Sequence, residues 1–214
     1  MWYVVQTPVG REAEAAEKLN HFYRDKAEKP CFVLSKERTW RMGGVYYVDT
    51  EVMFPGYVFV DTADEPVLED GVKCLAGLVR FLNAGSEAHP YGTAVPLKKE
   101  EEKFLKELLR EDSSHTVRRF LVRANDAGEI EWAEGVLGEM LPKIIRKRLR
   151  KRIVTIQAEL LNEARQVELA IRMEDDPEAV FPKKGPLNLK IFQEISRKTI
   201  LAGYRSLERT HQKR

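Results

Sequence analysis

The chain has 214 residues, 43% of them hydrophobic, which is enough for one or two globular domains with cores of their own. Lysine and arginine number 36 against 34 acidic residues, so the net charge of +2 does not by itself indicate a polyanionic partner. Cys31 and Cys74 have no second thiol or histidine at metal-ligand spacing, which indicates a reduced compartment. No secretory leader and no bilayer-length apolar run is expected, so the sequence predicts a soluble, cytoplasmic protein.

The first half of the chain predicts alternating strands and helices. A strand is expected over residues 2–7, a helix over 11–23 and a second strand over 31–36. Gly43 and Gly44 indicate a hairpin within residues 37–51, and a Pro-Gly turn opens an apolar strand over 53–60 that is typical of a central position. Helices over 65–76 and 98–109 flank a strand over 78–82. This pattern is that of an α+β sandwich.

The second half predicts strands alone. After a polar break at residues 110–114, short strands are expected over 120–123, 130–132, 137–145, 153–161 and 166–173, as in a small β-barrel. Residues 174–214 begin as an acidic connector and become a basic tail. From Leu187 onward the tail has seven basic and two acidic residues, with Leu187, Ile191 and Ile195 at helical spacing. It is expected to be part helical or to fold on a partner.

Nothing in the sequence indicates catalysis. A phosphate-binding glycine loop is missing, and the four histidines are scattered without carboxylates or thiols at triad or ligand spacing. No catalytic residue, cofactor or metal site is therefore expected.

The run Met53-Phe54-Pro55-Gly56-Tyr57-Val58-Phe59-Val60 resembles the strongest signature of the NusG family's N-terminal (NGN) domain. Three flanking segments agree with it in order and spacing: Trp2-Tyr3-Val4-Val5 resembles the opening strand, Gly10-Arg11-Glu12 the start of the first helix, and Gly77-Leu78-Val79-Arg80-Phe81-Leu82 the strand after the second helix. The resemblance implies an NGN-type domain over residues 1–110.

The second half resembles the family's KOW barrel more loosely. Glu134-Gly135-Val136-Leu137-Gly138 stands where a Gly-Pro-Leu/Phe-x-Gly turn is usual, without its proline. Ile144 to Arg152 resembles a segment of the antiterminator-like branch called LoaP, with a basic residue in place of the aspartate. The implied organisation is a linker over residues 111–116, a KOW-like all-β barrel over 117–173 and a variable basic tail over 174–214.

The resemblance implies that the first domain docks on the clamp helices of the largest subunit of bacterial RNA polymerase. Carried over by position, the candidate contacts are Val4, Phe54, Tyr57, Phe59 and Phe81. Aromatic side chains anchor interfaces well, but large apolar residues are also typical of a core, and both interpretations are open. Because neighbours on a strand face opposite sides, Tyr57 and Phe59 share one face while Val58 and Val60 share the other.

The densest charge lies between Lys143 and Arg152, where seven of ten residues are basic. A cationic hairpin of this kind can follow a nucleic-acid backbone, or it can be a solvated turn. The candidate nucleic-acid-binding residues are Arg146, Lys147, Arg148, Arg150 and Arg152. By resemblance, Arg11 and Lys18 would lie near upstream DNA, with a solvated helix face as the alternative.

The sequence therefore predicts a transcription elongation factor that binds RNA polymerase and promotes antitermination or suppresses pausing at selected operons, as the specialised relatives LoaP and RfaH do. Nascent RNA, upstream DNA, and a ribosomal protein or termination factor bound by the barrel are the further partners implied. A standalone KOW-type RNA-binding protein, regulatory or ribosome-associated, is the alternative. Leu68-Glu69-Asp70-Gly71 replace the His-Thr-Thr-Thr run of some specialised relatives, so a second polymerase contact is not expected.

Overall fold

The computed structural model describes residues 1–23, 29–83, 90–110 and 112–181. The chain divides into two compact units, residues 1–179 and residues 180–214, and only Val180 and Phe181 of the second unit are described. The predicted helical part of the tail lies outside the described residues. Within the described residues, no helix has the length and apolar character needed to cross a membrane.

The first region alternates helices and strands as the sequence predicts. The strands are β1 (Trp2–Gln6), β2 (Cys31–Phe32), β3 (Ser35–Met42), β4 (Val45–Val52), β5 (Tyr57–Asp61) and β6 (Arg80–Phe81). The helices are α1 (Glu12–Asn20), followed by a 3-10 turn at His21–Tyr23, then α2 (Glu65–Cys74) and α3 (Lys99–Leu109).

The second region is mainly β. Its strands are β7 (Thr116–Val117), β8 (Phe120–Ala124), β9 (Ile130–Ala133), β10 (Ile144–Arg148), β11 (Ile153–Leu160) and β12 (Glu163–Met173). A short helix α4 (Val136–Glu139) and 3-10 turns at Leu141–Lys143 and Leu149–Lys151 complete it. Strands β8 to β12 form a five-stranded sheet in the order β10-β11-β12-β8-β9, a curled half-barrel of KOW type.

The predicted strand over residues 137–145 is wrong over residues 137–143, because the chain turns there. Gly135 has a φ of +58°, and a Cβ on Gly138 would lie 2.6 Å from the Ala133 carbonyl oxygen, so a side chain cannot fit at that position. Pro142, which has no backbone N–H to donate to a ladder, follows in the next turn. The apolar residues of this segment therefore pack as two short helical turns, and the strand begins only at Ile144.

A central four-stranded sheet, in the order β2-β5-β1-β6, separates two hydrophobic cores. Strand β5 is hydrogen-bonded on both sides, which confirms its predicted central position. Val58 and Val60 point into the core that includes residues of α1 and α2, whereas Phe59 points into the other core. That second core also contains residues of α3 and of the half-barrel, including Leu105, Phe120 and Leu137.

The segment that joins the two regions is bound to the first of them. Thr116 and Val117 pair in parallel with Ser35 and Lys36 and so extend the β3–β4 hairpin to a three-stranded sheet. Glu37 is buried and forms ion pairs at 3.2 Å with both Arg118 and Arg119. The connection therefore positions the half-barrel against the first region.

The turn between β11 and β12 consists of Leu161 and Asn162, whose φ values of +57° and +61° both lie in the left-handed region. Two-residue hairpin turns of this kind favour Asn-Gly, because only glycine adopts this backbone without strain. Leu161 is 5% exposed and belongs to the core shared by the two regions. The Asn162 N–H donates to the Glu101 carboxylate of α3 at 3.3 Å. The turn therefore contacts α3 through Asn162 and packs into the shared core through Leu161.

Candidate partner-binding and nucleic-acid surfaces

Four aromatic side chains form a cluster on one face of the central sheet. The Phe59 ring lies 6.1 Å from the Trp2 ring, 6.1 Å from Phe32 and 5.9 Å from Phe54, measured between centroids. Trp2 and Phe32 meet edge to face at 5.0 Å. Strand alternation places Trp2, Phe32 and Phe59 together, since β1, β2 and β5 are neighbours in register, and Phe54 joins them from the bend before β5. We call this surface the aromatic face.

The predicted polymerase contacts fall on both sides of the sheet. Val4, Phe54 and Phe59 belong to the aromatic face and are 4%, 8% and 1% exposed, while Tyr57 is half-buried at its border. Phe81 is 3% exposed and lies in the opposite core, with residues of α1 and α2. The structure therefore brings four of the five residues together and separates Phe81 from them.

The half-barrel contacts the border of the aromatic face, whose rings also pack in one core with residues of α3. Arg165 of β12 donates to the Tyr57 hydroxyl at 3.1 Å, and its guanidinium lies 5.1 Å from the centre of the Tyr57 ring. At the other end of the interface, Arg110 forms a 2.8 Å ion pair with Glu134 and lies 4.2 Å from the Phe120 ring. A partner that docks on Tyr57 must therefore displace Arg165 of the half-barrel.

A buried carboxylate connects two of the segments that carry the family resemblance. Gly56 has a φ of +85° in the Pro55-Gly56 turn, where glycine is the favoured residue. Glu12, 4% exposed, accepts hydrogen bonds from the Gly56 N–H at 2.7 Å and the Gly10 N–H at 3.0 Å. Burial alone would raise the pKa of Glu12, but these N–H donors outweigh it and bring the pKa below 4.5. Nothing in the local sequence pattern distinguishes this glutamate from solvated ones.

We expect Glu12→Ala to lower the free energy of unfolding by about 2–4 kcal/mol at pH 7, since two buried N–H groups lose a charged acceptor. The depressed pKa means that the carboxylate stabilises the fold above pH 4.5 and that this contribution is lost as the pH falls through the folded-state value. Urea denaturation should therefore show a difference between variant and parent that narrows from pH 7 to pH 3.5. Glu17→Ala, on the exposed side of the same helix, is the matched control and should unfold like the parent. An equal loss in both variants would contradict the assignment.

The predicted cationic hairpin is present as β10, the turn at Leu149–Lys151 and β11. Its cations differ in how far they are neutralised. Lys147 forms an ion pair with Glu129, and Arg148 lies 4.0 Å from Glu168. Arg146 and Arg150 are exposed and have no ion pair with any described residue. The hairpin therefore keeps positive charge at its surface.

Arg152 stands apart from the other predicted cations. Its Nε donates to the Asp176 carboxylate at 2.7 Å, and both side chains are at least 86% buried. Its guanidinium also lies 5.4 Å from the Tyr46 ring. Burial would raise the pKa of Asp176, but the hydrogen bonds from Arg152 and the Met173 N–H hold it below 3.8. The positive charge of Arg152 is therefore already neutralised by the buried Asp176 carboxylate.

Arg11 and Lys18 share one carboxylate on the surface of α1. Both contact Glu14 at 2.8 Å, and the hydrogen bond from Arg11, with that from Lys18, lowers the pKa of Glu14 to about 2. All three side chains are exposed. Arg11, Lys18 and Glu14 together therefore have a net charge of +1.

Sequence reasoning missed a stacked aromatic pair on the β3–β4 hairpin. Trp40 and Tyr47 are directly opposite each other on β3 and β4, and their rings stack at 4.4 Å with an interplanar angle of 14°. The β3–β4 hairpin was predicted, and its register would have identified this pair as cross-strand neighbours.

The chain is thus a mixed α/β domain followed by a curled, KOW-like half-barrel, the fold of a NusG N-terminal domain with its C-terminal β module. The model of the family "Transcription termination factor nusG" matches residues 1–111, more than half of the chain, and the chain belongs to the NusG family. The family consists of transcription elongation and antitermination factors, not enzymes, and its members generally bind RNA polymerase.

The chain is similar to a solved structure titled "Domain interaction in Thermotoga maritima NusG". The two are 15% identical, the match covers 79% of this chain and 92% of that one, and the TM-score is 0.38. No curated protein matches the chain.

Proposed function

We propose that this chain is a specialised NusG-family factor that binds bacterial RNA polymerase in the cytoplasm and promotes antitermination or suppresses pausing at selected operons. The family match over residues 1–111 carries the proposal, since it covers the region that contains the aromatic face. The divergent half-barrel and the cationic hairpin favour a specialised role over a general one.

The aromatic face is suited to receive a helical partner. Its rings offer a large apolar area with few rotatable bonds to be fixed on binding, which is the property of an interface anchor. Clamp helices of the polymerase are the proposed occupant, and Val4, Phe54, Tyr57 and Phe59 are the proposed contacts. Phe81 is omitted from this set, because its side chain lies on the opposite side of the sheet.

Docking on Tyr57 requires Arg165 of the half-barrel to leave this residue. The Arg165–Tyr57 contact holds the edge of the interface closed, through a hydrogen bond and a cation–π interaction. Removing it should favour the open conformation by about 1–2 kcal/mol, since such contacts contribute about 0.5–1.5 and 0.5–1 kcal/mol each. Clamp-helix affinity should rise accordingly, because a binding-competent state becomes more populated.

We expect full-length Arg165→Ala to bind isolated clamp helices about 5–30-fold more tightly than the parent, as measured by titration calorimetry. Arg172→Ala, an exposed arginine on the same strand, is the matched control and should bind like the parent. Adding Tyr57→Ala to Arg165→Ala should then weaken binding by about 1–4 kcal/mol, because the closing contact is already absent and only docking is affected. Unchanged affinity in both Arg165→Ala variants would refute the proposed face.

The cationic hairpin favours a second candidate, a standalone RNA-binding protein in which the first region is only a scaffold. Co-purification with polymerase after nuclease treatment separates the two functions. A polymerase-binding factor stays associated, whereas a protein tethered only through RNA is released.

A further inference from the structure

Arg80 lies at the end of the surface that the proposed function assigns to the polymerase. It is the first residue of β6, and Gln6 of β1 pairs with Arg80 on one side and with Tyr57 of β5 on the other. Phe81, the next residue, points into the core that contains residues of α1 and α2, so strand alternation places Arg80 on the opposite side of the sheet. Tyr57 packs on that same side. Arg80, Gln6 and Tyr57 thus form a row across three strands.

The guanidinium of Arg80 is held in position but is not neutralised. Its Nε donates to the side-chain carbonyl oxygen of Gln6 at 3.2 Å, and this acceptor is uncharged. The Arg80 side chain is exposed and has no ion pair with any residue that the structure describes. Its terminal NH₂ groups therefore remain available to an acceptor. A carboxylate is the acceptor in proteins that forms paired hydrogen bonds with a guanidinium.

An open groove of about 430 Å³ adjoins this row. Three segments line it: residues 6–8, 55–57 and 76–80. Pro8, Pro55 and Leu78 provide apolar surface, and Arg80 is the only charged residue in the lining as far as the structure describes the chain. All three segments belong to the first region, so the groove stays open while the half-barrel contacts Tyr57. The groove therefore suits an apolar side chain that has a carboxylate nearby.

This lining favours a protein partner over a nucleic acid. A phosphate backbone is bound by several cations at once, whereas here one cation borders an otherwise uncharged groove. A peptide that carries an apolar side chain and a carboxylate complements both the apolar lining and the Arg80 guanidinium.

The spacing of the row indicates where that carboxylate should be. Neighbouring strands lie about 4.8 Å apart, so Arg80 and Tyr57 are separated by about 10 Å across β1. Two turns of an α-helix rise about 11 Å. A helix that crosses the strands over Tyr57 therefore brings a side chain about seven residues away to Arg80.

We propose that Arg80 is a specificity-determining contact, which pairs with a carboxylate of the clamp helices about two turns from the side chain that contacts Tyr57. The inference rests on the proposed function, in which these helices occupy the aromatic face. Apolar contacts alone accept many amphipathic helices. Arg80 adds the requirement for an acid at one position, and a helix without that acid leaves the guanidinium unpaired.

The test is titration calorimetry of the full-length protein with isolated clamp helices. Arg80→Glu should weaken binding about tenfold or more, because repulsion replaces the ion pair. Each aspartate and glutamate of the helices is then replaced singly by glutamine. One of these changes should weaken binding to the parent about fivefold and have no further effect on binding to Arg80→Gln, as expected for two groups that contact each other. Lysine at that position of the helices should restore binding to Arg80→Glu.

Arg172→Glu is the matched control, since Arg172 is exposed on β12, has no ion pair among the described residues and does not line the groove. It makes the same change in net charge and should keep the affinity within about threefold. Equal weakening in both variants would overturn the contact in favour of diffuse attraction. Parental affinity in a folded Arg80→Glu variant, or the lack of any carboxylate that couples to Arg80, would overturn it as well.

These outcomes are separate from a failure of the proposed function. If Arg80→Glu binds like the parent while Tyr57→Ala weakens binding in the Arg165→Ala background, the aromatic face stands and the Arg80 contact falls. No binding of clamp helices by either the parent or Arg165→Ala would refute both. A duplex oligonucleotide whose binding falls in Arg80→Glu, while clamp-helix binding is unchanged, would assign Arg80 to a phosphate instead. Thermal unfolding followed by circular dichroism establishes that every variant is folded.

Discussion

Phe59→Ala is expected to lower the free energy of unfolding by about 3–5 kcal/mol, because Phe59 is 1% exposed at the centre of the aromatic face. The core that contains Phe59 is shared by the first region and the half-barrel. We therefore expect the two regions to unfold together, in a single transition that Phe59→Ala destabilises as a whole. Urea denaturation followed by far-UV circular dichroism and by tryptophan fluorescence should give coincident curves.

Phe22→Ala is the control for this prediction, since the same substitution at a side chain that is 38% exposed should cost about 1 kcal/mol or less. Two separate transitions, of which only one shifts in Phe59→Ala, would contradict a shared core. They would also mean that the half-barrel contacts the aromatic face without stabilising it.

Arg152→Ala is the second substitution with a large expected effect, a loss of about 3–5 kcal/mol, because it leaves the Asp176 carboxylate buried without a cation. The double variant with Asp176→Ala should recover part of that loss, since it removes the uncompensated charge. Arg150→Ala, in the exposed turn beside it, should change stability by less than about 0.5 kcal/mol. Chemical denaturation at pH 7 of the parent, Arg152→Ala, Asp176→Ala and the double variant measures the coupling.

The pH dependence offers an independent check on this pair. The pKa of Asp176 is depressed in the folded protein, so its contribution is present above pH 3.8 and is lost as the pH falls through the folded-state value. The stability gap between parent and Arg152→Ala should therefore narrow in acid. A gap that is constant from pH 7 to pH 3 would show that Arg152 acts by packing and not by charge.

Local chemistry was sufficient to predict most of the first region. Period-2 alternation and the Pro55-Gly56 turn indicated a central strand, and two consecutive glycines indicated the β3–β4 hairpin, because these features depend on residues close in sequence. The same reasoning failed at residues 137–143. There the decisive contact is between Gly138 and the Ala133 carbonyl oxygen, and a backbone approach of this kind leaves no trace in hydrophobic periodicity.

The candidate sites were predictable only in part, because their partners are distant in sequence. Alternation showed that Tyr57 and Phe59 share a face, but not that Arg165, more than 100 residues later, would lie over Tyr57. Charge density identified the basic hairpin. The carboxylate that neutralises Arg152 belongs to Asp176, which follows the last strand. The sequence alone therefore could not show that Arg152 is neutralised whereas Arg150 is not.

The turn of Leu161 and Asn162 bears on how freely these two regions can be exchanged between proteins. Leucine in a left-handed conformation costs on the order of 1–3 kcal/mol, which the half-barrel alone would bear without compensation. In the whole chain, burial of the leucine side chain in the core shared by the two regions offsets that cost. A chimera that joins this half-barrel to another N-terminal domain therefore inherits the strain without the contact. A stable chimera would therefore also need Leu161-Asn162 to be replaced by Asn-Gly.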